Sequence, residues 1–331
     1  MESRTLGGTG LVTSRIGLGL AALGRPGYIN LGHAADLRGE HEVRAMEAQA
    51  HAVLDAAREA GVRYFDAARS YGRAESFLAR WLDTRRIAPD EVVVGSKWGY
   101  TYTAGWKVEA DRHEVKDHSL ATLRRQEAES RAILGPHLDL YQIHSATMEG
   151  GVLEDRAVLE ELARLRGLGL QIGLSLTGPR QGETLRRAME VVVAGERPFD
   201  CVQATWNLLE TSAGLALEEA HEAGMGVIVK EALANGRLAA RNDDPAFAAG
   251  RRLLEGEASR LGTTLDGLSL AAALACPWAD VVLSGAATIE QLRSNLAAAA
   301  VGWDDQAGAR LHPLAEDPEE YWAGRSRLRW N

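Results

Sequence analysis

Cysteine is scarce in this chain of 331 residues, which contains only Cys201 and Cys276. Two thiols cannot build a disulfide framework or a cysteine-rich zinc site. Both lie in apolar surroundings, DCVQATW and LACPW. We therefore expect them to pack as small buried hydrophobic groups.

Long apolar runs and an excess of positive charge are also missing. No uninterrupted apolar stretch approaches the roughly 18–20 residues of a transmembrane helix. The opening MESRTLGGTG has no apolar core of the kind a signal peptide needs. The net charge of −9 makes nucleic acid and anionic membranes poor partners. The sequence thus predicts a cytoplasmic protein with no nucleic-acid or membrane partner, and it leaves the oligomeric state unknown.

Short runs rich in Val, Ile and Leu alternate with longer amphipathic stretches. We predict strands at 15–20, 62–67, 91–97, 138–144, 170–175, 201–206, 226–231 and 280–285. We predict helices near 42–60, 73–83, 117–134, 154–167, 181–195, 212–223, 245–262 and 288–300. Eight strand–helix units in strict alternation indicate an α/β fold with a parallel sheet, and its simplest closed form is a (β/α)8 TIM barrel.

An open doubly wound sheet is the alternative architecture. Such a sheet normally carries G-x-G-x-x-G after its first strand, and GLGLAALG at 17–24 does not match that spacing. The opening residues around GGTG predict an N-terminal β-hairpin that caps the bottom of the barrel. The tail from Gly302 is polar with scattered tryptophans, and it forms either a flap or a packed tail. Because no linker interrupts the chain, we expect residues 1–331 to form a single domain.

Polar side chains stand at the ends of three consecutive predicted strands. By the two-residue period of a strand, Asp66, Lys97 and His144 share a face with the apolar residues before them. Tyr71 follows on the loop after Asp66. Each residue alone has a simpler role, as a helix cap, a lysine reaching solvent or a structural histidine. Their coincidence on adjacent strands favours a site at the C-terminal mouth of the barrel.

These four residue types suit proton transfer at a carbonyl or alcohol oxygen. A phenol has a pKa of about 10 in water. A nearby ammonium such as Lys97 favours the phenolate of Tyr71 and is expected to lower that pKa. Asp66 would keep the buried lysine charged, and His144 would orient the substrate oxygen. The set is a candidate general acid/base device.

Five segments in this order resemble the aldo-keto reductase superfamily: GVRYFDAARSYG, VVVGSKWG, LDLYQIH, GLGLQIGLS and VLSGAATIEQLRSNL. The resemblance runs from the opening to about Leu296. It implies a (β/α)8 barrel that moves a hydride between NADP(H), less often NAD(H), and an aldehyde, ketone, alcohol or sugar. Tyr71 would be the acid in reduction and the base in oxidation.

The resemblance also implies a set of cofactor-binding residues. Ser175 and Gln203 match the positions that hold the nicotinamide carboxamide. Gly285, Gln291 and Asn295 match nucleotide-binding positions, and the early N–H groups of the last helix would face a phosphate.

Three departures from the family pattern stand out. Leu176 replaces an asparagine that contacts the carboxamide. Lys230 replaces a tyrosine that stacks on the nicotinamide, and we expect it to contact the cofactor phosphates unless it bends to solvent or pairs with Glu231. Only Arg293 is basic in the last-helix segment, and Ala287 stands at a commonly basic position.

Aromatic residues in two predicted loops suit a flat or sugar-like substrate, although such residues also pack lids: Tyr28, Trp98, Tyr100, Tyr102 and Trp106. A nonenzymatic cofactor-binding regulatory subunit on the same barrel is a second hypothesis, and a lost Tyr71 or His144 would have favoured it. A metal-dependent barrel hydrolase is a third. It requires clustered ligands such as H-x-H at a strand end, and the sequence predicts no metal site.

Overall fold

The structure is a computed structural model that describes residues 1–331. The strands are β1 Ser3–Thr5, β2 Val12–Ser14, β3 Ile16–Gly19, β4 Tyr64–Asp66, β5 Val93–Trp98, β6 Tyr100–Tyr102, β7 Glu114–Lys116, β8 Leu138–Ala146, β9 Gln171–Leu176, β10 Cys201–Thr205, β11 Gly226–Lys230 and β12 Val281–Ser284. The α-helices are α1 His33–Asp36, α2 Val43–Glu59, α3 Ala74–Thr84, α4 Leu120–Leu134, α5 Arg156–Gly167, α6 Gln181–Glu190, α7 Gly214–Glu222, α8 Ala248–Arg260, α9 Leu265–Leu274, α10 Ile289–Ala297, α11 Asp305–Leu311 and α12 Pro318–Ser326.

Eight parallel strands close into a barrel in the order β3, β4, β5, β8, β9, β10, β11 and β12. Closure is made by β12 against β3, where Val282 pairs with Ile16. The predicted TIM barrel and its eight strands are therefore confirmed, and the open doubly wound sheet is excluded. The strand residues are almost all buried because helices cover the outside and side chains fill the inside.

The predicted N-terminal hairpin is confirmed, and it closes the bottom of the barrel. Strands β1 and β2 pair antiparallel. Leu6, on the connection between them, is fully buried in an apolar cluster with Tyr64, Leu140 and Ile228 inside the barrel. Gly7 makes this approach possible, because a Cβ atom there would lie 2.2 Å from the Gly226 nitrogen and its φ is +50°. The candidate functional residues lie at the opposite, C-terminal end of the strands.

Several elements differ from the sequence prediction. Helix α9, LDGLSLAAAL, was not predicted, because eight of its residues are buried and it shows no polar face. Helix α6 ends at Glu190 rather than 195, since the β-branched run that follows is extended from Val191. The loop after β5 forms a small hairpin of β6 and β7. The C-terminal tail contains helices α11 and α12.

No helix of the structure is both long and apolar enough to cross a bilayer. That residues 1–331 form one domain stays a prediction.

Candidate active site

Lys97 and Asp66 form a buried ion pair at the mouth of the barrel. The lysine is fully buried and the aspartate is 2% exposed. Asp66 pairs with Gly95 in the register of β4 and β5, so Lys97 lies one layer above it. The ammonium also donates to the Ala67 carbonyl oxygen at 3.1 Å. A buried charge of this kind is tolerated only when it is paired and hydrogen-bonded.

Two further residues complete the surroundings of the Asp66 carboxylate. Its Oδ1 accepts a hydrogen bond from Gln203 Nε2 at 2.8 Å and lies 3.4 Å from the Tyr64 hydroxyl. Gly95 leaves room for that hydroxyl, because a Cβ atom there would be 2.5 Å from it. The carboxylate is therefore fixed by contacts from β4, β5 and β10 together.

The Tyr71 hydroxyl lies 3.4 Å from Lys97 Nζ. Burial, and after it the charge of Asp66, raises the pKa of Tyr71 well above 10. Burial lowers the pKa of Lys97. The expectation that Lys97 lowers the pKa of Tyr71 below its value in water is therefore wrong, because Asp66 offsets the lysine charge and the phenol is desolvated. Tyr71 is held in its protonated form.

His144 packs its ring against the phenol. The ring centroids of His144 and Tyr71 are 5.5 Å apart and nearly perpendicular. Burial, followed by the charge of Lys97, lowers the pKa of His144 well below 6.5. The imidazole is thus neutral near pH 7. The chain turns sharply after it, since Ser145 has a φ of +57° and donates its N–H to Ser175 Oγ at 2.9 Å.

One cavity of about 370 Å³ runs across the mouth. Eight of the ten predicted site residues line it: Asp66, Tyr71, His144, Gln203, Lys230, Gly285, Gln291 and Asn295. Lys97 and Ser175 lie behind its wall. The structure therefore brings three of the four predicted acid/base residues and five of the six predicted cofactor-binding residues to one continuous space.

The far end of the cavity has the features of a polar binding groove. Gly285 is open, with its nearest neighbour 4.0 Å from where a Cβ atom would lie. The side chain of Gln291 accepts the Ala287 N–H at 2.8 Å, at the start of α10. Asn295 donates to Ser284 at 2.8 Å, and its Oδ1 is buried without a partner. An unpaired acceptor and an open glycine wall fit an extended, hydrogen-bonding cofactor.

Lys230 is largely, but not fully, buried at the end of β11. Its Nζ donates to Thr205 Oγ1 at 2.7 Å and lies 3.8 Å from Glu231 Oε1. The side chain is 16% exposed, so most of it faces the protein rather than solvent. Burial lowers the pKa of Lys230 to about 8. Pairing with Glu231 is only partial, because Arg325 of α12 holds that carboxylate with hydrogen bonds of 2.9 and 3.1 Å.

Sequence reasoning missed Arg25, whose guanidinium lines the cavity. It lies 5.1 Å from the Tyr71 ring centroid, 4.9 Å from that of Tyr28 and 4.7 Å from that of Trp330. The tail reaches the same place, since the Asn331 N–H donates to the Tyr28 carbonyl oxygen at 3.0 Å. The tail therefore covers the mouth as a flap. No local pattern around Arg25 or Trp330 indicates this contact, because 305 residues separate them.

Among the predicted aromatic residues, Tyr28 and Tyr100 line the cavity. Trp98, Tyr102 and Trp106 do not, and Trp98 is fully buried in the core.

A closed (β/α)8 barrel with this arrangement of residues at its C-terminal mouth indicates a barrel oxidoreductase. Residues 15–316 match the model of the Aldo/keto reductase family, and the chain belongs to that family.

Curated relatives and a solved structure extend this match over nearly the whole chain. Pyridoxal 4-dehydrogenase of Microbacterium luteolum is 27% identical, with 97% of this chain and 95% of the relative covered. The uncharacterized oxidoreductase YqkF of Bacillus subtilis is 26% identical, with 90% and 91% covered. The holo form of aldo-keto reductase AKR11C1 from Bacillus halodurans superposes with a TM-score of 0.73 over 96% of this chain and 97% of that chain. Its identity of 22% supports the fold alone.

Proposed function

We propose that this protein is a nicotinamide-dependent reductase of aldehydes or ketones, or in reverse a dehydrogenase of alcohols or sugars. The observation that carries the proposal is the buried Lys97–Asp66 pair with the Tyr71 hydroxyl 3.4 Å from Nζ. A tyrosine held protonated at the end of a long polar cavity, beside a neutral histidine, is a proton donor for a carbonyl oxygen.

The mechanism assigns one step to each residue. When bound, a reduced nicotinamide cofactor would supply the hydride that the carbonyl carbon accepts. Tyr71 donates its hydroxyl proton to the carbonyl oxygen, and the Lys97 ammonium stabilises the phenolate that forms. Asp66 holds Lys97 in place and charged. The neutral imidazole of His144 donates a hydrogen bond to the same oxygen, which orients the carbonyl for attack.

The proposed cofactor is NADP(H), with NAD(H) as the alternative. Ser175 and Gln203 would hold the nicotinamide carboxamide. Lys230 lines the cavity together with Tyr71 and His144, so we place it beside the ring rather than against the phosphates that the sequence suggested. Support comes from Gln203, which lines the cavity beside Asp66. Its Nε2 donates to Asp66 Oδ1 at 2.8 Å, which fixes the orientation of the side-chain amide. Ser175 is the weaker assignment, since its oxygen already accepts the Ser145 N–H.

The nucleotide half of the cofactor would lie along Gly285, Gln291 and Asn295. The unpaired Oδ1 of Asn295 supports this placement. For a 2′-phosphate, the basic candidates are Arg293 on α10 and Arg241, which lines the cavity but is paired with Asp36 at 2.8 Å.

The proposed substrate is a small aldehyde or its alcohol, with a flat ring or a sugar-like body. Tyr28, Tyr100 and Trp330 line the cavity and offer aromatic surface for stacking. The name of the Microbacterium relative, which specifies pyridoxal, supports an aromatic aldehyde.

The test follows NAD(P)H absorbance with pyridoxal, benzaldehyde and glyceraldehyde in one direction and their alcohols in the other. We expect turnover of at least one carbonyl with one of the two cofactors. Tight binding of a cofactor with no turnover of any compound would contradict an enzyme and favour the regulatory subunit.

A further inference from the structure

Lysine is rare in this protein, and two of its four lysines lie at the wall of the cavity or directly behind it. The chain contains 33 arginines and four lysines. Lys107 and Lys116 are exposed, whereas Lys97 is fully buried and Lys230 is 16% exposed. Elsewhere almost every cation is an arginine. At Lys97 and Lys230 the chain thus presents a compact point charge, whereas an arginine would present a planar guanidinium.

Lys230 belongs to the same layer of the barrel mouth as Lys97. It pairs with Thr205 in the register of β10 and β11, two residues beyond Gln203 and Ile228. Strands β5 and β11 lie on opposite sides of the eight-stranded barrel. Lys230 and His144 line the same cavity. Burial, then the charges of Lys97, Arg25 and Lys230, lower the pKa of His144, so the Lys230 charge is felt where the reacting oxygen would lie.

The groups that face Lys230 leave its charge incompletely balanced. Glu231 Oε1 is 3.8 Å away, but the carboxylate is shared with Arg325, which makes three hydrogen bonds to it. Asp66 is paired with Lys97. The Trp322 ring of α12 lies 5.7 Å from Nζ and adds no charge. Lys97, Lys230 and Arg325 thus share two carboxylates, Asp66 and Glu231, and the surplus is one positive charge at the wall of the cavity.

A nicotinamide ring carries one positive charge when oxidised and none when reduced. Tyr71, His144 and Lys230 line the same cavity, so a ring that reached a carbonyl held by the first two would lie in the space that Lys230 also faces. We propose that Lys230 makes the site discriminate between these two charge states and hold the reduced, neutral ring more tightly than the oxidised cation. The inference rests on the proposed function, and it assigns the site a bias toward carbonyl reduction.

The experiment measures dissociation constants of NADPH and NADP⁺ by isothermal titration calorimetry, without substrate. The variants are Lys230→Met and, as a matched control, Lys107→Met at an exposed lysine. A charge a few ångströms away in a poorly solvated site changes an equilibrium by roughly tenfold. We expect the dissociation constant of NADP⁺ divided by that of NADPH to fall by roughly tenfold in Lys230→Met. The same ratio should stay unchanged in Lys107→Met.

A pH series of the unmodified protein gives an independent measurement if Lys230→Met folds poorly. Because Lys230 has a pKa of about 8, its charge is lost between pH 7 and 9. Two of the charged neighbours keep their charges over that range, because the pKa of Glu231 is lowered to about 2 and that of Arg325 is raised. The other two, Asp66 and Lys97, are paired with each other. In the unmodified protein, the preference for NADPH over NADP⁺ should shrink as the pH rises from 7 to 9. In Lys230→Arg, the preference should be the same at pH 7 and at pH 9.

Three results would overturn the inference. An equal loss of affinity for both nucleotides would make Lys230 a phosphate contact. An unchanged ratio in Lys230→Met, or a ratio independent of pH in the unmodified protein, would remove it from the nicotinamide. If the unmodified protein binds neither NADP(H) nor NAD(H), the proposed function itself is wrong, which separates that failure from a failure of Lys230 alone.

Discussion

Replacing Lys97 by Met tests the buried ion pair on which the site is built. The lysine is fully buried and its partner is 2% exposed, so the substitution leaves an uncompensated carboxylate in the core. Breaking such a pair costs about 3–5 kcal/mol. We expect the lower end of that range, about 3 kcal/mol, because Asp66 keeps its hydrogen bond from Gln203 at 2.8 Å.

The double variant Asp66→Asn/Lys97→Met separates the pair from general damage to the core. Removing both charges leaves no buried ion, so the double variant should be more stable than Lys97→Met alone. The assay is urea unfolding followed by circular dichroism. Arg156→Met is the control, since its ion pair with Glu160 is exposed, and it should leave the midpoint unchanged. Additive losses in the double variant, or a Lys97→Met midpoint equal to that of the unmodified protein, would refute the reasoning.

Three further predictions concern the surroundings of the site. Gly24→Ala puts a Cβ atom 2.3 Å from the Tyr71 carbonyl oxygen, so turnover and melting temperature should both fall. Gly302→Ala is the control and should change neither, because a Cβ atom there has no neighbour within 4 Å. Burial alone would raise the pKa of Glu231, but Arg325 and Lys230 lower it from 4.5 to about 2. The ionised Glu231 therefore contributes roughly 3 kcal/mol to the free energy of unfolding above pH 4.5, and this contribution is lost as the pH falls toward 2. In urea unfolding, Glu231→Gln should lose less stability between these pH values than the unmodified protein does. Trp330→Ala removes a ring that stacks on His113 with 3.9 Å between the ring centroids and that covers Arg25. KM for an aromatic aldehyde should therefore rise, with little change in cofactor affinity. An unchanged KM would place the tail outside the substrate site.

The barrel could be predicted because each of its strands has a local apolar pattern and each helix between them shows an apolar face. The polar ends of β4, β5 and β8 could likewise be read from the two-residue period, which is why Asp66, Lys97 and His144 were expected at one mouth. Helix α9 escaped notice for a physical reason, since it is buried all round and has no polar side to give it a period.

What could not be predicted depends on contacts between distant parts of the chain. Arg25 meets Trp330 across 305 residues, and Arg325 reaches Glu231 from the C-terminal helix. The direction of the Tyr71 pKa was wrong because sequence reasoning counted the charge of Lys97 but not the burial of the phenol or the nearby Asp66. Burial and charge balance are properties of the assembled mouth.

The most direct test of the central claim is the turnover of Tyr71→Phe with a carbonyl that the unmodified protein reduces. Only the hydroxyl that lies 3.4 Å from Lys97 Nζ is removed. NAD(P)H affinity should therefore stay close to that of the unmodified protein while kcat falls roughly 10²–10⁴-fold, the usual contribution of general acid catalysis. A kcat within a factor of about three of the unmodified protein, with normal cofactor binding, would contradict the assignment of Tyr71 as the proton donor.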